Sequence, residues 1–255
     1  QDDDWDVQQT LRRIVMSETY QQSATVRGSV ELDPENRLLS RGPRFRLDAE
    51  VLRDQALFVS GLLVEKLGGP SVKPPQPDGL WFAVGYSGSN TVRFTADKGP
   101  DKVHRRTLYT FLKRTAPAPQ MSIIDAPSRE SCTVRRERTN TPLQALLLLN
   151  DPQYFECARG LADRVLREGG KTTESRAAYM MRLCTSRKPE TSEVAELVAA
   201  ITDLQAAYSK DGEAAAKLVG TTVPTSGESS QVAERAAWII GANLVLNLDE
   251  VLTKN

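Results

Sequence analysis

Three times along this chain a helix-capping residue stands directly before proline: Asp33-Pro34, Thr141-Pro142 and Asp151-Pro152. An aspartate or threonine side chain accepts a hydrogen bond from the free amides of a first helical turn. Proline suits the first helical position, where its missing N–H would have had no partner. A chain punctuated in this way is built to start helices, and its apolar spacing agrees. Trp5, Val7, Leu11, Ile14 and Val15 recur at helical intervals, which predicts a helix over 5–20. A short helix holding Leu38 and Leu39 follows Asp33-Pro34. Asp48 caps the next, with Glu50 in its first turn. That helix carries Val51, Leu52, Leu57, Phe58, Leu62 and Leu63 and stops at Gly68-Gly69-Pro70. Further helices are predicted at about 101–115, 143–149, 152–168, 173–185, 190–208, 211–219 and 229–252. Only residues 91–95 alternate as a strand would. They lie inside a Pro/Gly-rich stretch, 70–100, which reads as a long ordered loop or a small β excursion. The expected fold is all-α: an irregular multi-helix array in one domain spanning 1–255, with a mobile linker at 220–228.

Charge and residue counts narrow the chemistry. Lys+Arg and Asp+Glu balance at 33 each, so nothing in the net charge draws the chain to nucleic acid or to an anionic membrane. No apolar run approaches the roughly 18–20 residues of a membrane span. His104 is the single histidine, read as a surface residue beside Arg105. One histidine makes a Ser-His-Asp triad, a multi-histidine metal site and bis-histidine haem ligation hard to assemble. Cys132, Cys157 and Cys184 are far apart, with no CxxC or CxxCH, and read as buried or half-buried free thiols. The acidic run Asp2-Asp3-Asp4-Asp6 has no EF-hand spacing, so no metal site is expected. Trp81, Phe82, Tyr86 and Phe94 in the Pro/Gly stretch read as plugs pinning the loop to the core, with sugar stacking as the alternative.

The unusual segment is 125–150. Asp125, Arg129, Glu130, Arg135, Arg136, Glu137, Arg138 and Asn140 crowd into its first part, ahead of the capping box Thr141-Pro142-Leu143-Gln144 and an apolar run read as a buried helix. Two readings stand side by side. In one, Arg129, Arg135, Arg136, Arg138 and Asn140 hold a carboxylate, sulfate, phosphate or haem propionate, with Glu130, Glu137 or Asp125 as acid or base. In the other, the arginines tie an irregular loop to carbonyls and helix C-termini, and Asp125 and Glu130 pair with them. The second is favoured, because ion-pair networks are a common way to order long loops.

The residues from Arg105-Arg106-Thr107-Leu108-Tyr109 through Asp125-Ala126-Pro127-Ser128-Arg129-Glu130 and Arg135-Arg136-Glu137-Arg138-Thr139-Asn140-Thr141-Pro142-Leu143-Gln144 to Asn150-Asp151-Pro152 resemble the planctomycete cytochrome-associated C-terminal domain, domain of unknown function 1553. Glu35-Asn36-Arg37-Leu38-Leu39, Gly68-Gly69-Pro70-Ser71-Val72 and the stretch 243–253 fit the same family. The resemblance implies the last part of a large exported protein, in the periplasm or at the cell surface. Its partners would be upstream cytochrome and helical domains of the same protein, with a glycan possible. Haem would then sit on the separate upstream domain, and no cofactor is expected in this chain. Residues 1–22 resemble the tail of the preceding helical domain. The implied role is a non-catalytic scaffold or partner-binding module. The alternatives are a carboxylate/arginine enzyme acting on glycans or sulfated sugars, and a module docking an anion or a haem edge.

Overall fold

The computed structural model describes residues 5–25, 33–85, 88, 91–222 and 229–254. Among them are twelve α-helices and a two-stranded sheet, so the fold is mostly helical with a short β excursion. No helix among the described residues is long and apolar enough to cross a membrane. The chain divides into two compact units, 1–47 with 252–255, and 48–251.

The first unit holds α1 (Val7–Val15), capped by Asp6, whose carboxylate accepts from the Gln9 amide at 3.0 Å. The helix is shorter than its apolar pattern predicts, and it buries none of its residues. The helix expected around Leu38 is absent. Asp33 does accept from the amides of Arg37 and Leu38, both at 2.8 Å, as a cap would. However, Asn36 and Leu39 take positive φ, so the chain turns there instead of propagating. β1 (Phe45–Arg46) pairs antiparallel with β2 (Thr253–Lys254).

The second unit begins with α2 (Ala49–Val59), α3 (Leu80–Val84), α4 (Pro100–Val103), a 3-10 turn at Thr107–Tyr109, and α5 (Pro119–Ile123). Then come α6 (Pro142–Asn150), α7 (Pro152–Glu168), α8 (Thr173–Thr185), α9 (Thr191–Lys210), α10 (Gly212–Val219), α11 (Ser229–Leu246) and α12 (Asp249–Leu252). Helices α7 to α10 surround α11. Leu161, Val165, Met180, Ile201, Trp238 and Ile239 form the centre of this bundle, each no more than 1% exposed. Small residues on α11 (Ala233, Ala236, Ala237, Gly241 and Ala242) let its neighbours approach closely. A Cβ at Gly241 would lie 3.1 Å from Ile201 Cγ1, so even one methyl forces a shift.

Two departures from the expected helices shape the surface. α2 ends at Val59, well short of Gly68. Gly61 sits at φ 76°, and the amides of Leu62 and Leu63 both turn back to the Leu57 carbonyl. The segment expected as a helix over 101–115 holds only the end of α4 and the 3-10 turn and is otherwise turns and irregular chain. Its local propensity loses to long-range bonds. The Val72 amide donates to the Tyr109 carbonyl and the Phe111 amide to the Val72 carbonyl, while the Thr107 amide and hydroxyl both bond Asp54 at 2.7 Å. Arg105 uses its guanidinium on the carbonyls of Lys66, Gly68 and Pro70.

Within 70–100, Trp81 on α3 is buried against Phe94 and Phe111, with ring centroids 5.2 and 5.6 Å away, so it plugs the loop onto the core as expected. Phe82 faces solvent, and Tyr86 lies outside the described residues. Residues 91–95 form no strand. Most of the expected linker at 220–228 also lies outside the described residues. His104 is a correction: it is buried, with Nε2 3.0 Å from Glu156 Oε1, because the Val64 amide bonds its carbonyl and draws that turn into the unit. Cys157 and Cys184 are buried thiols, each pushed up to about 12 by burial, whereas Cys132 is exposed.

Candidate functional site

The early end of α2 loses the cap that the sequence predicts. Asp48 occupies the N-cap position, but its carboxylate makes no capping bond. It faces the signature segment instead, 3.5 Å from Arg136 Nη1 and 3.4 Å from Arg138 Nη2. Glu50, in the first turn, receives Arg136 as a two-point fork at 2.6 and 3.1 Å, and Arg129 Nη2 at 3.2 Å. Burial pushes the Glu50 carboxyl up, but the Arg136 bonds and the charges of Arg136 and Arg129 outweigh it and hold it below its ordinary range. A carboxyl held ionised in this way is a poor general acid at neutral pH.

The segment is anchored at its other end by Asp125, which takes positive φ and accepts from the Thr139 amide at 2.6 Å and from the Thr139 hydroxyl. Beneath this turn lies Gln144, fully buried. Thr141 caps the Gln144 amide as the capping box requires, yet the Gln144 side chain does not return to Thr141. Its Nε2 reaches the Ile123 carbonyl, Asp125 Oδ2 and Thr139 Oγ1. The helix this opens is not buried as expected. α6 buries only Gln144 and Leu148, leaving Leu143, Leu146 and Leu149 exposed.

The predicted site residues therefore separate. Arg129, Arg136 and Arg138 converge on Asp48 and Glu50 of α2, not on Asp125 and Glu130. Asp125 is a structural acceptor within its own loop. Glu130, Arg135, Glu137 and Asn140 are exposed on the segment's surface, and neither Glu130, Glu137 nor Asp125 lines the groove beside it.

The cavity lies beside the segment. It is a groove of about 680 Å³. One wall is α2, through Val51, Gln55 and Phe58. The other is the segment from the 3-10 turn to α5, through Leu108, Leu112 and Met121, with Arg106, Arg129 and Arg136 on the rim. Phe58 and Leu108 are 58% and 76% exposed, so the groove is open rather than enclosed. The spacing predicts Val51 and Phe58 on a helix that runs to Gly68, and Leu108 and Leu112 on a helix over 101–115. One signal was available: Val51, Leu52, Leu57 and Phe58 wrap more than one stripe of α2, so a single core could not take them all. Among the described residues, no three His, Cys, Asp or Glu side chains gather as a metal ion would need.

What fold and groove define is a helical module with a salt-bridged rim and an open apolar groove. A family model, PSD1, protein of unknown function (DUF1553), matches residues 1–201 of the 255. The chain belongs to that family. The match takes in the whole signature segment and the groove, while the stretch 243–253 lies beyond it. No curated protein and no solved structure matches the chain.

Proposed function

We propose that this domain is a non-catalytic, partner-binding helical module of an exported, cytochrome-linked surface protein. Its partners are upstream cytochrome and helical domains of that protein. The single observation that carries the reading is the state of the groove. Each carboxylate lining it (Asp48, Glu50 and Asp54) is engaged by arginine, so the groove offers apolar surface and guanidinium donors rather than an acid/base pair. Glycoside chemistry asks for two carboxyls roughly 5–10 Å apart across one cleft, one of them with a raised pKa. Glu50 is shifted the other way.

The test is calorimetric titration of the separately produced upstream domains into this chain at low salt. Saturable binding that weakens with Leu108→Asp is the expected outcome. Absence of binding at low salt rejects the reading. Hydrolysis of a glycan or a sulfate ester by the pure chain, abolished by Glu50→Gln, would replace it with the enzymatic one.

A further inference from the structure

We infer that the groove between α2 and residues 107–121 receives an acidic amphipathic helix from outside this chain. The inference rests on the partner-binding reading and names the chemistry of what binds. It starts from which polar atoms at the rim remain available. The carboxylates form an inner layer: the Asp54 side chain is 18% exposed and that of Glu50 25%. Their oxygens are occupied. Asp54 accepts from Arg106 Nε and from the amide and hydroxyl of Thr107, and Glu50 accepts three bonds from Arg129 and Arg136.

The guanidiniums form an outer layer. Arg106 is 55% exposed and bonds Asp54 through Nε alone. Arg129 is 48% exposed and bonds Glu50 through Nη2 alone. Among the described residues the terminal nitrogens of Arg106, and Nε and Nη1 of Arg129, meet no acceptor. A guanidinium carries five N–H donors in a fixed fork. The rim is neutral when its charges are counted, but its outward face is made of cationic donors. What complements it is a row of carboxylates.

The groove floor fixes the rest. Val51 and Phe58 lie seven residues apart on one face of α2, a helical stripe left about half exposed, and Leu108, Leu112 and Met121 stand opposite. Neither β1 nor β2 lines the groove, and the groove-lining Thr110 already spends its strand-like bridge on Val72, so a partner that satisfies its own backbone fits this site. A helix does so, and offers apolar residues at i, i+3, i+4 and i+7 to the groove with carboxylates beside them. A small amphipathic acid is the lesser fit, because sites for small molecules enclose most of the ligand and these walls are open.

The experiment uses the full chain and three probes: a synthetic helical peptide with leucines at i, i+3, i+4 and i+7 flanked by glutamates, the same peptide with lysine at every glutamate, and sodium dodecanoate. Fluorescence anisotropy reads the peptides, and dodecanoate enters as a competitor. The acidic peptide binds, and its lysine counterpart binds at least about tenfold more weakly, as one lost charge-assisted contact would give. Leu108→Asp abolishes binding. Arg106→Ala and Arg129→Ala each weaken the acidic peptide by about tenfold and leave the lysine peptide unchanged. Val134→Asp, outside the groove, changes nothing. Equal binding of the two peptides overturns the inference, as does binding of neither, or displacement of the acidic peptide by dodecanoate below its micelle-forming range. If the upstream domains bind and the acidic peptide does not, this inference falls alone. If the peptide binds and the domains do not, the partner assignment falls and the groove chemistry stands.

Discussion

α6 and α11 are both apolar, yet their surfaces meet opposite fates. α11 is interleaved with alanine and glycine, and buries ten of its residues among four neighbouring helices. α6 carries a run of four leucines and buries two residues, one of them a glutamine. Burial here follows position and shape rather than hydrophobicity. The small side chains of α11 let α9 and α7 come close. α6 is pinned through Gln144 to the signature loop, and Leu143, Leu146 and Leu149 are left outward. The bundle supplies stability, while α6 and, separately, the groove display apolar surface. An exposed apolar surface of this kind marks a site of interaction.

The contrast can be broken by mutation. Trp238→Ala in the bundle should cost about 3–5 kcal/mol, measured by urea denaturation, since a fully buried indole leaves a cavity that the alanine-rich packing cannot close. Gly241→Val should cost about 1–3 kcal/mol by overpacking against Ile201. Gln144→Ala should cost about 1–3 kcal/mol, because the Ile123 carbonyl and Asp125 lose a buried donor. The same variant should raise amide exchange over 125–141, a local effect that the bundle variants lack.

Acid unfolding sharpens the comparison further. Glu193, bonded by Arg187 and by the Glu190 amide, is held at about 2, and Glu50 is lowered by its arginines. Both pKa values are depressed in the folded state, so their stabilisation is complete above the ordinary carboxylate range. It is lost as pH falls from about 4.5 toward 2. Glu193→Gln or Glu50→Gln should therefore flatten the acid limb of a stability-versus-pH curve and leave its shape above pH 6 unchanged. Smallest of all, Leu146→Ala and Leu108→Ala should stay within about 0.5 kcal/mol of the parent, as surface positions do. A loss near that of Trp238→Ala would show that the α6 surface or the groove is core after all.

The carboxyl-terminal helices were the most legible part. Asp151-Pro152 and Thr172 are local capping signals, and the helices they open run close to the predicted bounds, 152–168 and 173–185. The region around 101–115 was illegible for a physical reason. Its apolar spacing suits a helix, but its backbone donors and acceptors go to Val72 and Asp54, which lie 35 or more residues away. At the site, the sequence marked the signature arginines and offered a structural role for them. It could not name their partners, because Asp48 and Glu50 look like ordinary helix-start acids until the fold brings the loop onto them.

By itself, then, the sequence determined the helical class, the Asp151 cap that opens the bundle and the family to which the chain belongs, because each is carried by residues close together in the chain. The tertiary structure alone decided that Arg129, Arg136 and Arg138 close on the first turn of α2. It also decided that His104 is buried and that Leu143, Leu146, Leu149 and Leu108 face outward. Each of those outcomes depends on hydrogen bonds and packing between distant segments, whose free energies exceed the local preferences that a sequence pattern records.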